Sequence, residues 1–299
     1  MKVVEVTGAS VRVGRSEVLA DLSFSASAGE LLAVFGGAGS GKSTLLRLLN
    51  GEVSARSGMV RILGRLPKTS AHRIGFAAGE VDFAPSATCI QVLNRTLAGY
   101  DVPSYQRAAR STEMLEVFGL LERRERPIRE LGGTHHAALS LAAALVHRPA
   151  VLLVDNLTAS LTPDLAGRFW SYVSDRRSID GLTVLHATTS SVDAEQADRV
   201  LLMDSGSLLG QGTPAELQAR HGIETLLVEA ADPESVRRTL RGIFDVAFEE
   251  TTEGLRISTP DAVPVAAHLF RHPSGGFRSV LIRRPSMWDV LDSLRNNLK

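Results

Sequence analysis

A glycine-rich segment near the amino terminus limits the folds open to this chain more than any other feature. It follows a compact apolar run, Leu31–Phe35, and precedes a leucine-rich segment, 42–50, whose spacing is helical. A strand, a glycine loop and a helix in this order open a parallel α/β fold. The loop matches the pattern G-x-x-x-x-G-K-S/T in full, with Gly36, Gly37, Ala38, Gly39, Ser40, Gly41, Lys42, Ser43 and Thr44.

The residue types of this loop suit the binding of nucleotide phosphates. Glycines allow backbone N–H groups to converge on phosphate oxygens without an intervening Cβ, and the next helix turns its positive end toward them. Lys42 offers a charge for the β- and γ-phosphates, and the hydroxyl of Ser43 suits Mg²⁺. The alternative is a glycine-rich turn that merely connects strand and helix. The complete match in this setting disfavours that alternative.

A second apolar run, Val151–Asp155, ends in an acid. Asp155 can reach the ligand shell of Mg²⁺ through Ser43 or a water, as the acid of such strands does. An aspartate at the end of a buried strand can also simply begin a turn. The presence of the phosphate loop in the same chain favours the metal-binding role.

The remaining pattern predicts two domains. Residues 88–135 have apolar residues at helical spacing and no strand-like run, so we predict a helical insertion there. The composition changes after 212–214. Beyond residue 220 the predicted order is β-α-β-β-α-β plus a final helix, which is typical of a small ferredoxin-like domain. We therefore expect an α/β domain over 1–220, with a mixed sheet flanked by helices, and a small α+β accessory domain over 221–299.

Four further strands are expected within the first of these domains. Two are short segments near the amino terminus, 3–6 and 22–25, joined by turns at Gly8, Gly14 and Asp21. Residues 183–187 have the character of a buried strand. Residues 200–204 are expected to lie at the edge of the sheet.

Composition excludes several classes of protein. Lys and Arg together number 33, as do Asp and Glu, and this balance argues against nucleic acid as a partner. With 44% hydrophobic residues the chain can form a core, which excludes a disordered protein. We see no apolar run of the roughly 18 residues that a membrane-spanning helix needs, and no signal peptide. A single cysteine, Cys89, fits a reducing compartment, so a cytoplasmic protein is expected.

Residues 1–220 resemble the nucleotide-binding subunit of ABC transporters. The match rests on the phosphate loop, which corresponds to the Walker A motif, and on the strand that ends at Asp155. A third segment lies where the family has its L-S-G-G-Q signature, and it reads Leu131, Gly132, Gly133, Thr134 and His135. The carboxy-terminal part, with its final segment 284–291, looks like the accessory tail of subunits of the drug- and polysaccharide-export type.

The resemblance implies a P-loop NTPase fold with ATP and Mg²⁺ as cofactors. In that family two nucleotide-binding subunits face each other head to tail, so that each ATP lies between the phosphate loop of one and the signature of the other. The resemblance also implies a membrane permease, which would hold this chain at the inner face of the cell membrane.

The sequence departs from the family's catalytic pattern at several positions. Asn156 replaces the glutamate after the strand aspartate, and an amide does not accept a proton from the attacking water; loss of a general base costs roughly 10²–10⁴-fold in rate. Thr189 occupies the histidine position, and Gly79 occupies that of the Mg²⁺-sensing glutamine. The nearby His186 lies three residues before Thr189. Because this offset is odd, its side chain should point to the opposite face of the strand. Glu80 is next to Gly79 in the sequence, but the side chains of adjacent residues in an extended chain point in different directions, so Glu80 should point away from the metal.

The signature and the adenine-binding position are also altered. Gly132 lacks the serine hydroxyl, and Thr134 places a branched side chain where the partner's γ-phosphate should approach. Thr162 replaces the aspartate that couples the two sites. Val13 replaces the aromatic residue that stacks on adenine, and either of two nearby arginines could stack there instead, namely Arg12 and Arg15.

We therefore assign no catalytic residue and predict a degenerate subunit that binds Mg-ATP, hydrolyses it poorly and pairs with a different, better-equipped subunit. The alternative is a fully active ATPase that drives export with displaced residues. A repair or translation protein of the same superfamily is disfavoured because the chain has one phosphate loop. A small GTPase is disfavoured because an N-K-x-D motif is missing.

Overall fold

The chain forms two compact units, Met1–Gln211 and Gly212–Lys299. The computed structural model describes residues 1–14, 16–79, 83–251, 254–273 and 276–297. The division falls several residues before the expected boundary at 220. The helix over 214–221, which begins before the expected boundary, is therefore part of the second unit. No helix within the described residues is both long enough and apolar enough to cross a membrane.

The first unit contains nine strands and seven α-helices within the described residues. In chain order they are β1 (Lys2–Val13), β2 (Ser16–Ser27), β3 (Leu31–Phe35), α1 (Lys42–Leu49), β4 (Ser57–Ile62), α2 (Pro67–Ser70), β5 (Ile74–Ala78), α3 (Cys89–Gly99), α4 (Ser104–Val117), α5 (Gly133–Leu145), β6 (Val151–Asp155), α6 (Pro163–Asp180), β7 (Thr183–Thr188), α7 (Ser191–Glu195), β8 (Arg199–Asp204) and β9 (Ser207–Gly212).

Six strands form the central sheet, in the order β5-β6-β7-β3-β8-β9. The neighbours from β5 to β8 pair in parallel. Every residue of β3 and β7 is buried, as expected for strands covered on both faces. The carboxyl ends of β3, β6 and β7 meet at one edge of this sheet. The expectation that 200–204 forms the sheet edge is wrong, because β9 pairs outside β8.

The amino-terminal strands form a separate antiparallel sheet in the order β2-β1-β4. The short strands expected here are in fact two continuous strands of 12 residues each. Gly8 and Asp21 adopt positive φ values of 60° and 48° without ending the strands. The pairing between β1 and β2 shifts register around these residues. The residues expected to form turns therefore form β-bulges within continuous strands.

The helical insertion consists of α3, α4 and the start of α5. Thr88 and Gln91 form a capping box that begins α3. Helix α5 continues beyond the expected limit at 135 because its apolar side chains pack against the central sheet. A Cβ at Gly75 in β5 would overlap the carbonyl oxygen of Ala144, so glycine permits this close approach.

The second unit contains α8 (Pro214–His221), β10 (Glu224–Ala230), α9 (Pro233–Leu240), β11 (Ala247–Thr251), β12 (Gly254–Thr259), α10 (Ala262–Arg271), β13 (Phe277–Arg283) and α11 (Met287–Asn297). Its four strands form an antiparallel sheet in the order β11-β12-β10-β13. One face of the sheet packs on α9 and α10 through a buried apolar cluster that includes Leu226, Val236, Ile257 and Leu269.

Candidate functional site

The glycine loop connects β3 to α1 at the carboxyl edge of the central sheet. Gly39 and Gly41 have φ values of +75° and +100°, which side chains rarely adopt. A Cβ at Gly41 would lie 2.8 Å from Cδ2 of Leu19, and one at Gly36 would overlap the carbonyl oxygen of Met203. These positions require glycine because the loop lies directly against β2 and the end of β8.

Lys42 lies within the curve of this loop. Its side-chain Nζ donates to the carbonyl oxygens of Gly36 at 2.8 Å and Gly37 at 2.7 Å, and to Oγ of Ser40 at 3.2 Å. Burial lowers the pKa of Lys42, and the negative charge of Asp155 opposes that shift. The ammonium is therefore held inside the loop that is predicted to bind phosphate.

Ser43 and Asp155 are brought together from two different elements. The Ser43 hydroxyl, in the first turn of α1, donates to Oδ1 of Asp155 at 3.1 Å. Asp155 is the last residue of β6. A hydroxyl and a carboxylate are oxygen ligands of the kind that Mg²⁺ prefers. The donor set therefore fits the metal that the sequence analysis expected.

Asn156 follows Asp155 with an exposed side chain. Its φ is +53°, a left-handed conformation that asparagine tolerates better than most residues. Its backbone N–H donates to the carbonyl oxygen of Ala187 in β7 at 2.9 Å. Thr189 comes directly after β7, so Asn156 and Thr189 follow neighbouring strands on the carboxyl edge of the sheet.

His186 lies in a buried polar network. Its ring is 1% exposed, and its Nε2 lies 3.1 Å from Oγ1 of Thr158, which also donates to Oδ2 of Asp193 at 3.0 Å. The ring makes an edge contact with Trp170. Burial lowers the pKa of His186 to about 4, although Asp193 acts in the opposite direction. His186 is thus engaged in packing among β7, α6 and α7.

Sequence reasoning missed the members of this network other than His186. Thr158 belongs to the turn that follows Asn156, whereas Thr188 ends β7 and donates to the same Asp193 oxygen at 3.4 Å. The network joins the segments that carry Asn156 and Thr189. Its only signal in the sequence is that Thr158 follows Asn156 by two residues and that Thr188 directly precedes Thr189.

The structure places the other departures from the family pattern at element ends. Gly79 follows β5, is exposed and has open space where a side chain would be. Val13 ends β1 and is 57% exposed, and Arg12 beside it is also exposed. The β1–β2 hairpin reaches the glycine loop through Leu19. Arg15 and Glu80 lie outside the described residues.

The signature segment forms the beginning of α5. Gly132 is the extended N-cap residue, and Gly133 is the first residue of the helix. Thr134, in the first turn, is half-buried. Thr162, which replaces the coupling aspartate, caps α6 through a hydrogen bond from the backbone N–H of Leu165 at 3.5 Å. The threonine thus retains a role as an N-cap.

A cleft of about 690 Å³ opens beside the site. Ser43 and Asp155 line it together with Phe76, Tyr100 contributes from the helical insertion, and Ser140 contributes from α5. Sequence reasoning did not predict this cleft, because its walls come from segments that are far apart along the chain. The glycine loop, Lys42 and the Ser43–Asp155 pair on a parallel sheet together define a P-loop protein that binds nucleoside triphosphates.

Comparisons with known proteins identify the family within that class. A sequence profile of the ABC transporter family matches residues 19–159. The energy-coupling factor transporter ATP-binding protein EcfA1 of Lacticaseibacillus paracasei is 30% identical over 218 residues, covering 71% of this chain and 78% of EcfA1. The methionine import ATP-binding protein MetN of Rhizobium etli is 31% identical over 220 residues, covering 71% of this chain and 61% of MetN.

Other similar proteins include ABC transporter G family member 20 of Dictyostelium discoideum, at 28% identity, which is covered over 30% of its length. The chain thus spans less than two thirds of two of these three relatives. In fold it is similar to an ATP-binding subunit of an ABC transporter, with a TM-score of 0.69 at 20% identity over 74% of this chain and 93% of that one.

A second solved structure of similar fold is cbiO1 from Clostridium perfringens, part of the ABC transporter complex cbiONQ. Its TM-score is 0.64 at 23% identity, covering 74% of this chain and 92% of that one. The chain belongs to the ABC transporter family and contains its ATP-binding cassette domain, with the P-loop fold.

Proposed function

We propose that this chain binds Mg-ATP and couples nucleotide-driven closure of a dimer to a membrane permease, with little hydrolysis of its own. The observation that carries the proposal is the sequence Asp155–Asn156 at the carboxyl end of β6. A carboxylate that fits Mg²⁺ is present, but an amide stands where the family has its general base.

Binding is supported by groups that are already in position. Lys42 supplies a fixed positive charge inside the loop, and Ser43 and Asp155 would hold the Mg²⁺ that accompanies the nucleotide. When bound, the metal would neutralise charge on the phosphate oxygens. Val13 offers less to an adenine than an aromatic ring does, so we expect phosphate contacts to supply most of the affinity.

Weak hydrolysis is supported by what surrounds Asn156. An uncharged amide does not take a proton from water at neutral pH. The half-buried carboxylate of Asp193 accepts hydrogen bonds from Thr158 and Thr188, so it is committed to the network around His186. His186 is itself buried in that network. Neither group is available as a displaced catalytic residue, which argues against the fully active alternative.

A different partner subunit follows from the head-to-tail arrangement of the family. In a homodimer both sites would combine Asn156 and Thr189 with the altered signature around Thr134, and both would hydrolyse poorly. With a competent partner, one site would join this phosphate loop to an intact signature and hold the dimer closed. The other would join the partner's catalytic glutamate to Thr134, whose bulk should slow closure.

The second unit supports a narrower assignment. Its β-α-β-β-α-β order and its sheet order agree with a ferredoxin-like accessory domain. We place the chain among subunits of the drug- and polysaccharide-export type on the resemblance of 284–291 to their tail. The chain would then lie in the cytoplasm, on the inner face of the cell membrane, where its permease holds it.

Purification of the tagged chain from its native cells, with the membrane fraction in mild detergent, tests the proposal. We expect a permease and a second, different ATP-binding subunit to copurify. The separately purified chain should bind ATP and turn it over well below about 1 s⁻¹, the lower end of ordinary enzymes. Two copies of this chain with a permease, no second ATP-binding subunit and ATP-driven transport would overturn it.

A further inference from the structure

The second unit contains a cavity on the sheet face that points away from α9 and α10. Its volume is about 530 Å³, within the range of small-molecule sites. The floor consists of strand residues, and one wall is α11, through Asp289, Asp292, Ser293 and Asn296. These four residues follow helical spacing, so a single face of α11 lines the cavity.

Part of the floor of the cavity is apolar. Leu227 in β10 and Leu281 in β13 are cross-strand partners that lie side by side. Leu281 is 62% exposed, and Ile223, which also lines the cavity, is 51% exposed. Exposed aliphatic side chains gathered in a concave site favour an apolar group of a ligand.

Most of the charged residues in the cavity are already paired. Arg256 forms an ion pair with Glu249 at 2.9 Å. Asp292 pairs with Arg295 at 3.1 Å. Asp289 accepts hydrogen bonds from both the backbone N–H and the hydroxyl of Ser286, each at 2.7 Å.

Two arginines remain after this pairing. Arg283 and Arg284 both line the cavity, and no carboxylate of the described residues forms an ion pair with either. Arg283 is the cross-strand partner of Thr225, in the row of residues next to Leu227 and Leu281. One part of the cavity is therefore cationic and the adjoining part is apolar.

We propose that this cavity binds a small amphipathic carboxylate, with its head group on Arg283 and Arg284 and its apolar chain over Leu227 and Leu281. A guanidinium matches a carboxylate through two parallel hydrogen bonds. A phosphate head group would carry more negative charge toward the acids of the α11 wall, so a singly charged carboxylate fits better. The site is separate from nucleotide binding and does not depend on the proposed transporter function.

Octanoate is the probe, and calorimetry on the full chain measures its binding. The double variant Arg283→Gln, Arg284→Gln should weaken binding at least tenfold, because it removes both charged donors. Arg278→Gln is the matched control, since it lies on the same strand outside the cavity and should leave the affinity unchanged. Octylamine should not bind, and octyl phosphate should bind more weakly than octanoate.

Each contrary result has a definite meaning. No octanoate binding by the wild-type chain, or equal binding by the double variant, would overturn the proposal. Tighter binding of octyl phosphate would overturn the choice of a carboxylate. Concentration-dependent self-association that Leu281→Glu abolishes, without octanoate binding, would assign the face to a second copy of the chain. Circular dichroism on the same samples reports whether each variant is folded, and ATP binding tests the nucleotide site separately.

Discussion

The Ser43 hydroxyl donates a 3.1 Å hydrogen bond to Asp155 and so joins the start of α1 to the end of β6. These residues are far apart along the chain, and they meet because α1 begins, and β6 ends, at the same edge of one sheet. Lys42 precedes Ser43 and is held by the loop carbonyls. The lysine charge and the two oxygen groups that we propose for Mg-ATP are thus positioned by regular secondary structure.

We expect Lys42→Ala to weaken ATP binding at least tenfold, or about 1.4 kcal/mol, because the substitution removes the charge that faces the phosphates. Calorimetry in the presence of Mg²⁺ measures the change. Lys68→Ala is the matched control, since Lys68 is exposed in α2. Equal affinities of the wild-type chain and Lys42→Ala would contradict a role for this lysine in binding.

We expect Asn156→Glu to restore little hydrolysis in the isolated chain. The substitution supplies a carboxylate beside Asp155, but Thr189 and the signature around Thr134 remain altered. Steady-state phosphate release should stay well below about 1 s⁻¹. If this single change raises turnover into the ordinary enzyme range, the other departures do not limit catalysis and the degenerate assignment is wrong.

We expect the first unit to lose stability as the pH falls from about 7 to 5. Burial lowers the pKa of His147 to about 4 in the folded protein, against 6.5 for the free side chain. In this window the unfolded chain binds a proton that the folded chain does not, so acidification favours unfolding. For His147 alone the loss between these pH values is about 2 kcal/mol.

Urea unfolding at both pH values measures this loss. Trp288→Phe leaves Trp170 as the fluorescent reporter of the first unit, since the chain has 2 tryptophans. In that background His147→Gln should reduce the pH-dependent loss by about 2 kcal/mol. His72→Gln, at an exposed position, should not change it. An undiminished loss in His147→Gln would show that the buried imidazole is not its source.

We expect the chain shortened after Gln211 to bind ATP within about threefold of the full chain. The loop, Lys42 and Asp155 all belong to the unit Met1–Gln211. Calorimetry on both chains, with circular dichroism as the test of folding, makes the comparison. Complete loss of binding in a shortened chain that still folds would show that the second unit contributes to the site.

The sequence was most informative where a local pattern determines local structure. The glycine loop requires particular backbone torsions, and an apolar run before it and helical spacing after it identify a strand and a helix. The alternation of elements beyond residue 220 was readable for the same reason. Gly8 and Asp21 are predicted as turns but form bulges, because the same residue types occur in both and only pairing with a neighbouring strand distinguishes the two.

Contacts between distant segments depended on the packing of the whole unit. His186 lies in a network with Thr158 and Asp193. These two residues come from segments that meet only after β6, β7 and α7 pack together. Likewise, the cavity in the second unit needs β13 and α11 to lie beside β10. Periodicity and motifs reflect the torsions and burial of single segments. These two sites depend instead on side chains from different elements that approach one another, and sequence spacing does not encode that approach.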